Sequence, residues 1–375
     1  MKVFTLVGTR PELIKLSETI KELDRSLDHI LVHTGQNFDY ELNEVLFEQL
    51  GIRKPDYFLN AAGDNPTETI ANVITKTDKL LEEIKPDAFL IYGDTNSCLG
   101  VIAAKKRQIP IFHMEAGNRC FDQRVPEEIN RKIIDHLSDI NMVLSEHARR
   151  YLIAEGVKAE TIIKTGSSML EVLNNHKLAI DNCNILEQEK LESGSYIIVS
   201  AHREENIDSP ENFEALLDTL EALQIHFQKT IIVSTHPRTR NKLESTNFAN
   251  QNNKIRFMKP FGFFEYIKLQ KESFCVVSDS GTITEEASIL KIPAVTIRQA
   301  HERPEGMDEG ILIMTGLNPA NVIKAIEVTR NHFQDIIPFE EVEDYAVESV
   351  SKKVVKIILS YTGYVNRTVW RKNEL

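Results

Sequence analysis

Short apolar runs recur along the chain, each handing over to a polar turn and then to apolar positions at helical spacing. Val3 to Val7 precedes Leu13, Leu16, Ile20 and Leu23, and Ala88 to Tyr92 precedes Leu99, Ile102 and Ala103. Runs without alternation fit strands covered on both faces, so the pattern predicts an α/β fold built on parallel sheets. Further strands are expected at 29–34, 109–114, 139–144, 161–165, 196–200, 231–234, 254–258, 274–277 and 293–297. Helices are expected over 318–332 and 339–360, followed by a polar tail from Tyr361 to Leu375. Residues 181–195 are polar and weakly periodic, which puts an interdomain passage between about 167 and 195. The expectation is two Rossmann-like doubly wound domains, 1–170 and 171–360.

The residues at the carboxyl ends of these strands change the picture from fold to chemistry. They are Arg10, Asp94, Glu115, His202, His236 and Ser280, and core packing does not require them there. Open α/β sheets bind ligands at that edge. If two such edges faced each other, these side chains would line opposite walls of one cleft. Lys15 follows Arg10 by about one helical turn. Asp94 reads equally as a helix N-cap, whereas Glu115 has no such ready structural use. Asn118 to Val125 is a polar loop with Arg119, Asp122 and Arg124; Pro126 then opens a helix carrying Glu127, Glu128, Asn130 and Arg131. Charged loops beside a crevice commonly move over a ligand.

Phe274 to Ala287 joins a buried strand, a glycine turn and a helix entry. Backbone N–H groups of Ser280, Gly281 and Thr282 at a helix N-terminus suit a phosphate, and Glu286 one turn on could accept two hydrogen bonds from a ribose diol. Taken alone, the same residues describe a capped helix whose acids complement its dipole.

A length of 375 residues fits two cores better than one. A net charge of −12 with no long basic run excludes an electrostatic nucleic-acid footprint. Cys98, Cys120, Cys183 and Cys275 are dispersed and lack C-x-x-C spacing, which fits reduced thiols and no zinc site. Met1 leads directly into a strand, and no apolar run approaches the ~20 residues of a membrane span, so the expectation is a cytoplasmic protein without membrane contact.

Seven ordered motifs then converge: G-T-R-P-E at 8–12, G-D-T at 93–95, E-A-G at 115–117, P-E-E-x-N-R at 126–131, H-R-E-E-N at 202–206, S-D-S-G-x-x-x-E-E-A at 278–287 and E-R-P-E at 302–305. Together they resemble the non-hydrolysing UDP-N-acetylglucosamine 2-epimerase family over nearly the whole chain. The resemblance implies a GT-B-like pair of domains, a final helix and tail (about 361–375) crossing back onto the first domain, a homodimer, and inversion at sugar carbon 2 of a UDP-N-acetylated hexosamine without cofactor or metal. Residue by residue, it implies that Ser280, Gly281 and Thr282 hold the diphosphate and Glu286 the ribose. Thr282 stands where relatives usually have glycine. It further implies that Arg10 and His202 hold the diphosphate, that Asp94, Glu115 and Glu127 act as acids and bases, and that Lys15 supports them. Where many bacterial relatives carry Q-H-R at a regulatory site, this chain reads Gln36-Asn37-Phe38-Asp39-Tyr40. With Asn118 to Arg124, that departure resembles the branch converting UDP-2-acetamido-2,6-dideoxy-L-talose to UDP-N-acetyl-L-fucosamine for capsule or O-antigen. A UDP-GlcNAc/UDP-ManNAc 2-epimerase is the alternative. A GT-B glycosyltransferase, a hydrolysing epimerase and a sugar-nucleotide sensor compete at greater distance; an epimer formed without any acceptor separates them.

Overall fold

In the computed structural model, the described residues are 1–35, 40–235, 237–244, 252–300, 302–335 and 339–372. They form two compact units, Met1–Asn175 with Glu343–Leu375, and His176–Val342. The first holds strands β1 (Lys2–Val7), β2 (Asp28–His33), β3 (Tyr57–Phe58), β4 (Ala88–Tyr92), β5 (Ile111–Ala116), β6 (Ile140–Val143) and β7 (Ile162–Lys164). All pair in parallel, in the order β3-β2-β1-β4-β5-β6-β7. The second holds β8 (Tyr196–Ser200), β9 (Thr230–Ser234), β10 (Ile255–Met258), β11 (Cys275–Ser278), β12 (Ala294–Thr296) and β13 (Ile313–Met314), also parallel, in the order β10-β9-β8-β11-β12-β13. Each order reverses once, between β1 and β4 and between β8 and β11, which opens a crevice at the carboxyl ends of those strands.

Local sequence explains the layers. Every residue of β4 is buried, because helices cover both faces. Leu13, Leu16, Ile20 and Leu23 are fully buried on one side of the helix Arg10–Ser26, which Pro11 enters in its first turn. In the second unit, Ile197, Val199, Val277 and Val295 meet Leu216, Leu220 and Leu223 from the helix Pro210–Phe227.

Three expectations differ from the structure. The units divide after Asn175, inside the expected passage of 167–195, but that stretch is more regular than its weak periodicity suggests: it contains the helices Met169–Asn175, Lys177–Asp181 and Ile185–Gln188, each with an apolar residue turned inward. The chain rejoins the first unit at Glu343, well before 361, because Asp344 pairs with Lys164 at 2.7 Å and its carbonyl accepts from the Ser167 N–H. The last helix runs over Val350–Thr368 in place of 339–360, since Ile357, Ile358, Thr362 and Val365 continue its buried stripe past Tyr361. Glu171 caps its entry by accepting from the Ser351 N–H and hydroxyl. No helix among the described residues is long and apolar enough to cross a membrane.

Candidate active site

In the first unit, the chain leaving β1 turns tightly. A Cβ on Gly8 would stand 1.8 Å from Ser97 Oγ, so only glycine lets this turn lie against the loop after β4. Glu12, buried in the first turn of the following helix, accepts from the Gly8 N–H at 2.6 Å and from the Thr95 hydroxyl. Burial pushes its carboxyl up to about 7, against the opposing effect of those bonds. Arg10 stands at the start of the same helix, and the buried Lys15 ammonium reaches Glu115 Oε2 at 3.1 Å across from β5.

Glu115 itself is strained. Its φ is +63° and the ladder shifts register between Met114 and Ala116, a combination that a non-glycine residue adopts only where its surroundings hold it. The result turns its carboxylate toward Lys15 and the Asn118 amide. Gly117 follows at φ +80°, pressed so close to the Ala148 carbonyl that a Cβ would lie 2.6 Å from it. One strand away, Asp94 Oδ2 accepts from Arg131 Nε at 2.7 Å and its carbonyl from the Asn130 amide at 3.0 Å. Asn130 and Arg131 belong to the helix Pro126–Leu137, which carries the half-buried Glu127 in its first turn. Two carboxylates at adjacent strand ends, each beside a cation, are groups that can take up and deliver protons.

In the second unit, Asp279 is fully buried after β11 and gathers the loop that follows β8. It accepts from the N–H groups of His202 and Arg203 and from the Asn206 amide, and its Oδ1 lies 3.2 Å from His202 Nδ1. The His202 side chain remains about half exposed (47%), open to a ligand. Ser280, Gly281 and Thr282 form the turn before the helix Ile283–Leu290, as the spacing predicts. Their N–H groups are not all free: Ser280 donates to Ser278 Oγ at 3.0 Å and Thr282 to Ser280 Oγ at 3.3 Å, because the small hydroxyls of this turn satisfy it internally. Gly281 is sterically required, since a Cβ would lie 2.5 Å from Glu302 Oε1, and Glu302 is held by Arg298 at 2.6 Å and Arg203 at 3.3 Å. Glu286 is buried and accepts from the Gln270 amide at 2.7 Å, so one of its oxygens is already engaged.

The sequence model described as UDP-N-acetylglucosamine 2-epimerase matches residues 21–359. The chain belongs to the UDP-N-acetylglucosamine 2-epimerase family. A solved structure from Rickettsia bellii described as UDP-N-acetylglucosamine 2-epimerase is 55% identical, with a TM-score of 0.93 over 99% of this chain and 100% of that one. The Methanocaldococcus jannaschii UDP-GlcNAc 2-epimerase, solved in complex with UDP-GlcNAc and UDP, is 31% identical with a TM-score of 0.89 over 96% of this chain and 100% of that one. The UDP-2,3-diacetamido-2,3-dideoxy-D-glucuronate 2-epimerase of Pseudomonas aeruginosa is 35% identical over 84% of this chain and 88% of its own length.

In this epimerase, an isomerase by family, the expected residues fall into one group per unit. Lys15 pairs with Glu115 and Asp94 with Arg131 at neighbouring strand ends of the first, with Arg10 and Glu127 on its helix entries; His202, Ser280, Gly281, Thr282 and Glu286 lie in the second. His236 and residues 36–39, where the Q-H-R departure falls, lie outside the described residues. Glu12, Glu128 and Asp279 stand inside the quoted motifs but, like Asp135, had no role assigned from the sequence; all four are buried acids. A signal existed for two of them: Glu128, Arg131 and Asp135 repeat at the spacing of a helix's inward stripe, where apolar residues are ordinary. Among the described residues, no group of three or more His, Cys, Asp or Glu side chains could hold a metal ion.

Proposed function

We propose that this epimerase inverts carbon 2 of a UDP-N-acetylhexosamine by eliminating UDP to a 2-acetamidoglycal and adding it back. The carrying observation is Glu115, held in a left-handed backbone conformation against the buried Lys15, one strand from Asp94. A C2 proton with no neighbouring carbonyl is too weakly acidic for removal and return alone. Departure of the diphosphate from C1 as the proton leaves C2 makes that removal possible. Inversion then needs a proton taken from one face and delivered to the other, hence at least two carriers, which Asp94, Glu115 and Glu127 supply. In this reading His202, Ser280, Gly281, Thr282 and Arg10 are the groups for the diphosphate, and Glu286 is the group for the ribose. Cationic and N–H groups stabilise the charge that develops on the leaving diphosphate.

For the sugar, the loop sequence Asn118 to Arg124 and the missing arginine after Gln36 favour UDP-2-acetamido-2,6-dideoxy-L-talose, giving UDP-N-acetyl-L-fucosamine for capsule or O-antigen. UDP-GlcNAc is a second reading, favoured by the name of the Rickettsia bellii relative. Each sugar nucleotide, incubated in deuterated water and followed by NMR, should show an epimer carrying deuterium at C2 with its preferred substrate. Label in the anomeric oxygen should scramble into non-bridging diphosphate positions. Retention of the C2 proton in the product would remove the elimination route.

A further inference from the structure

Behind the strand ends lies a second polar layer to which the chemistry above assigns no part. His113 on β5 is fully buried, and its Nε2 stands 2.8 Å from the carbonyl of Gly93, the residue before Asp94. Its Nδ1 stands 2.9 Å from Asp135 Oδ1, in ion-pair contact although the ring N–H does not point straight at that oxygen. Asp135, on the helix Pro126–Leu137, also accepts from the Gly117 N–H at 3.2 Å through both oxygens and from Arg119 Nη1 at 2.7 Å. The other side of Arg119 meets Glu155 at 2.8 and 2.6 Å, and Glu155 meets His136 at 3.3 Å. From β6, Asn141 donates to the Asp135 carbonyl. The layer thus holds both sides of the reacting carboxylates: the peptide before Asp94 and the amide two residues after Glu115.

A carbonyl oxygen can only accept, so Nε2 donates to Gly93. Two N–H donors, Gly117 and Arg119, end on the Asp135 carboxylate. Burial pushes the Asp135 carboxyl up, yet His113 and Arg119 outweigh it and hold it below the usual range.

We infer that His113 and Asp135 form a buried clamp, a pair of positioning residues that fixes Asp94 and Glu115 through the Gly93 carbonyl and the Gly117 amide. The clamp touches neither substrate nor reacting atoms, and its effect on turnover rests on the elimination reading above. Displacing a catalytic group by about 1 Å costs about 10²-fold in rate. His113→Gln should therefore lower kcat by one to two orders of magnitude while leaving KM within about twofold and the melting temperature of the second unit unchanged. In nitrogen-15 spectra the Gly117 amide, held by Asp135, should move from its wild-type position in His113→Gln. An unmoved Gly117 amide would overturn the clamp, as would a folded His113→Gln enzyme with full kcat. The amide signal is independent of turnover. A displaced amide in a protein that epimerises no UDP-sugar would leave the clamp standing and remove the reading it serves; an unmoved amide in an active enzyme would do the reverse.

Discussion

Glu12 shows how much a single side chain can hold beneath a motif. Its carboxyl sits near pH 7 because burial penalises the charged form more than the Gly8 and Thr95 donors favour it. The folded value lies above the ordinary 4.5, so the native state binds the extra proton between about pH 4.5 and 7. Stability from this group is therefore greatest below that window and is lost as pH rises through it, by up to about 3 kcal/mol. Glu12→Gln keeps the shape and removes the titration. Urea midpoints measured at pH 5 and pH 8 should differ less in the variant than in the wild type, with the variant gaining at pH 8; an unchanged difference would place the titration elsewhere. The motif G-T-R-P-E was legible in the sequence, yet it drew notice for its arginine. Spacing shows which residues share a turn; it does not show that Gly8 must lie against Ser97, which is what buries Glu12.

At the scale of elements, the helix Pro126–Leu137 decides how the loop before it behaves. The charges of residues 118–125 suggest a segment moving over a ligand, but the structure buries Arg119 completely between Asp135 and Glu155. Glu128 accepts from the Cys120 and Phe121 N–H groups and pairs with Arg131 at 3.0 Å. Only the tip stays open, where Phe121 is 69% exposed against the edge of Tyr151. Glu128→Ala leaves those buried donors without acceptors, at roughly 1–3 kcal/mol. The variant should be cut faster by trypsin after Arg124, whose side chain is exposed, while its affinity for UDP, assigned to the second unit, stays the same. Equal cleavage rates would show that Glu128 does not hold the loop. The helix start at Pro126 was readable from the sequence. The anchoring of the loop was not, because Glu155 lies beyond a whole strand and helix, outside any local period. Long covered strands were readable for the converse reason: β4 and β11 bury every residue, so their apolar runs carry the whole signal. The two-residue edge strands β3 and β13 are exposed and carry none.

At the scale of the whole molecule, the first unit is discontinuous and closes only when the chain returns at Glu343. The helix Val350–Thr368 packs on the helix Arg10–Ser26, the same helix that carries Arg10, Glu12 and Lys15. It brings Val350, Val354, Val355, Ile357, Ile358 and Val365 into the core. At about 1.5 kcal/mol for each buried side chain these sum to roughly 9 kcal/mol, comparable with the 5–15 kcal/mol that holds a domain folded. Glu171 would lose the Ser351 donors, and Lys353 would no longer reach the Thr165 carbonyl at 3.1 Å. A chain ended at Val342 should therefore keep the thermal transition of the continuous second unit and lose that of the first. A chain ended at Val369 gives up the contact of Lys105 with the Trp370 ring and the exposed bond from Lys372 to the Gln108 carbonyl, and should retain both transitions. Scanning calorimetry of the two truncations decides the matter: if both transitions survive in the shorter chain, the returning helix is an addition to the first unit and not part of its core. If only the second survives, the groups proposed to act at carbons 1 and 2 depend on residues at both ends of the sequence, and UDP binding should outlast epimerisation when the C-terminus is shortened.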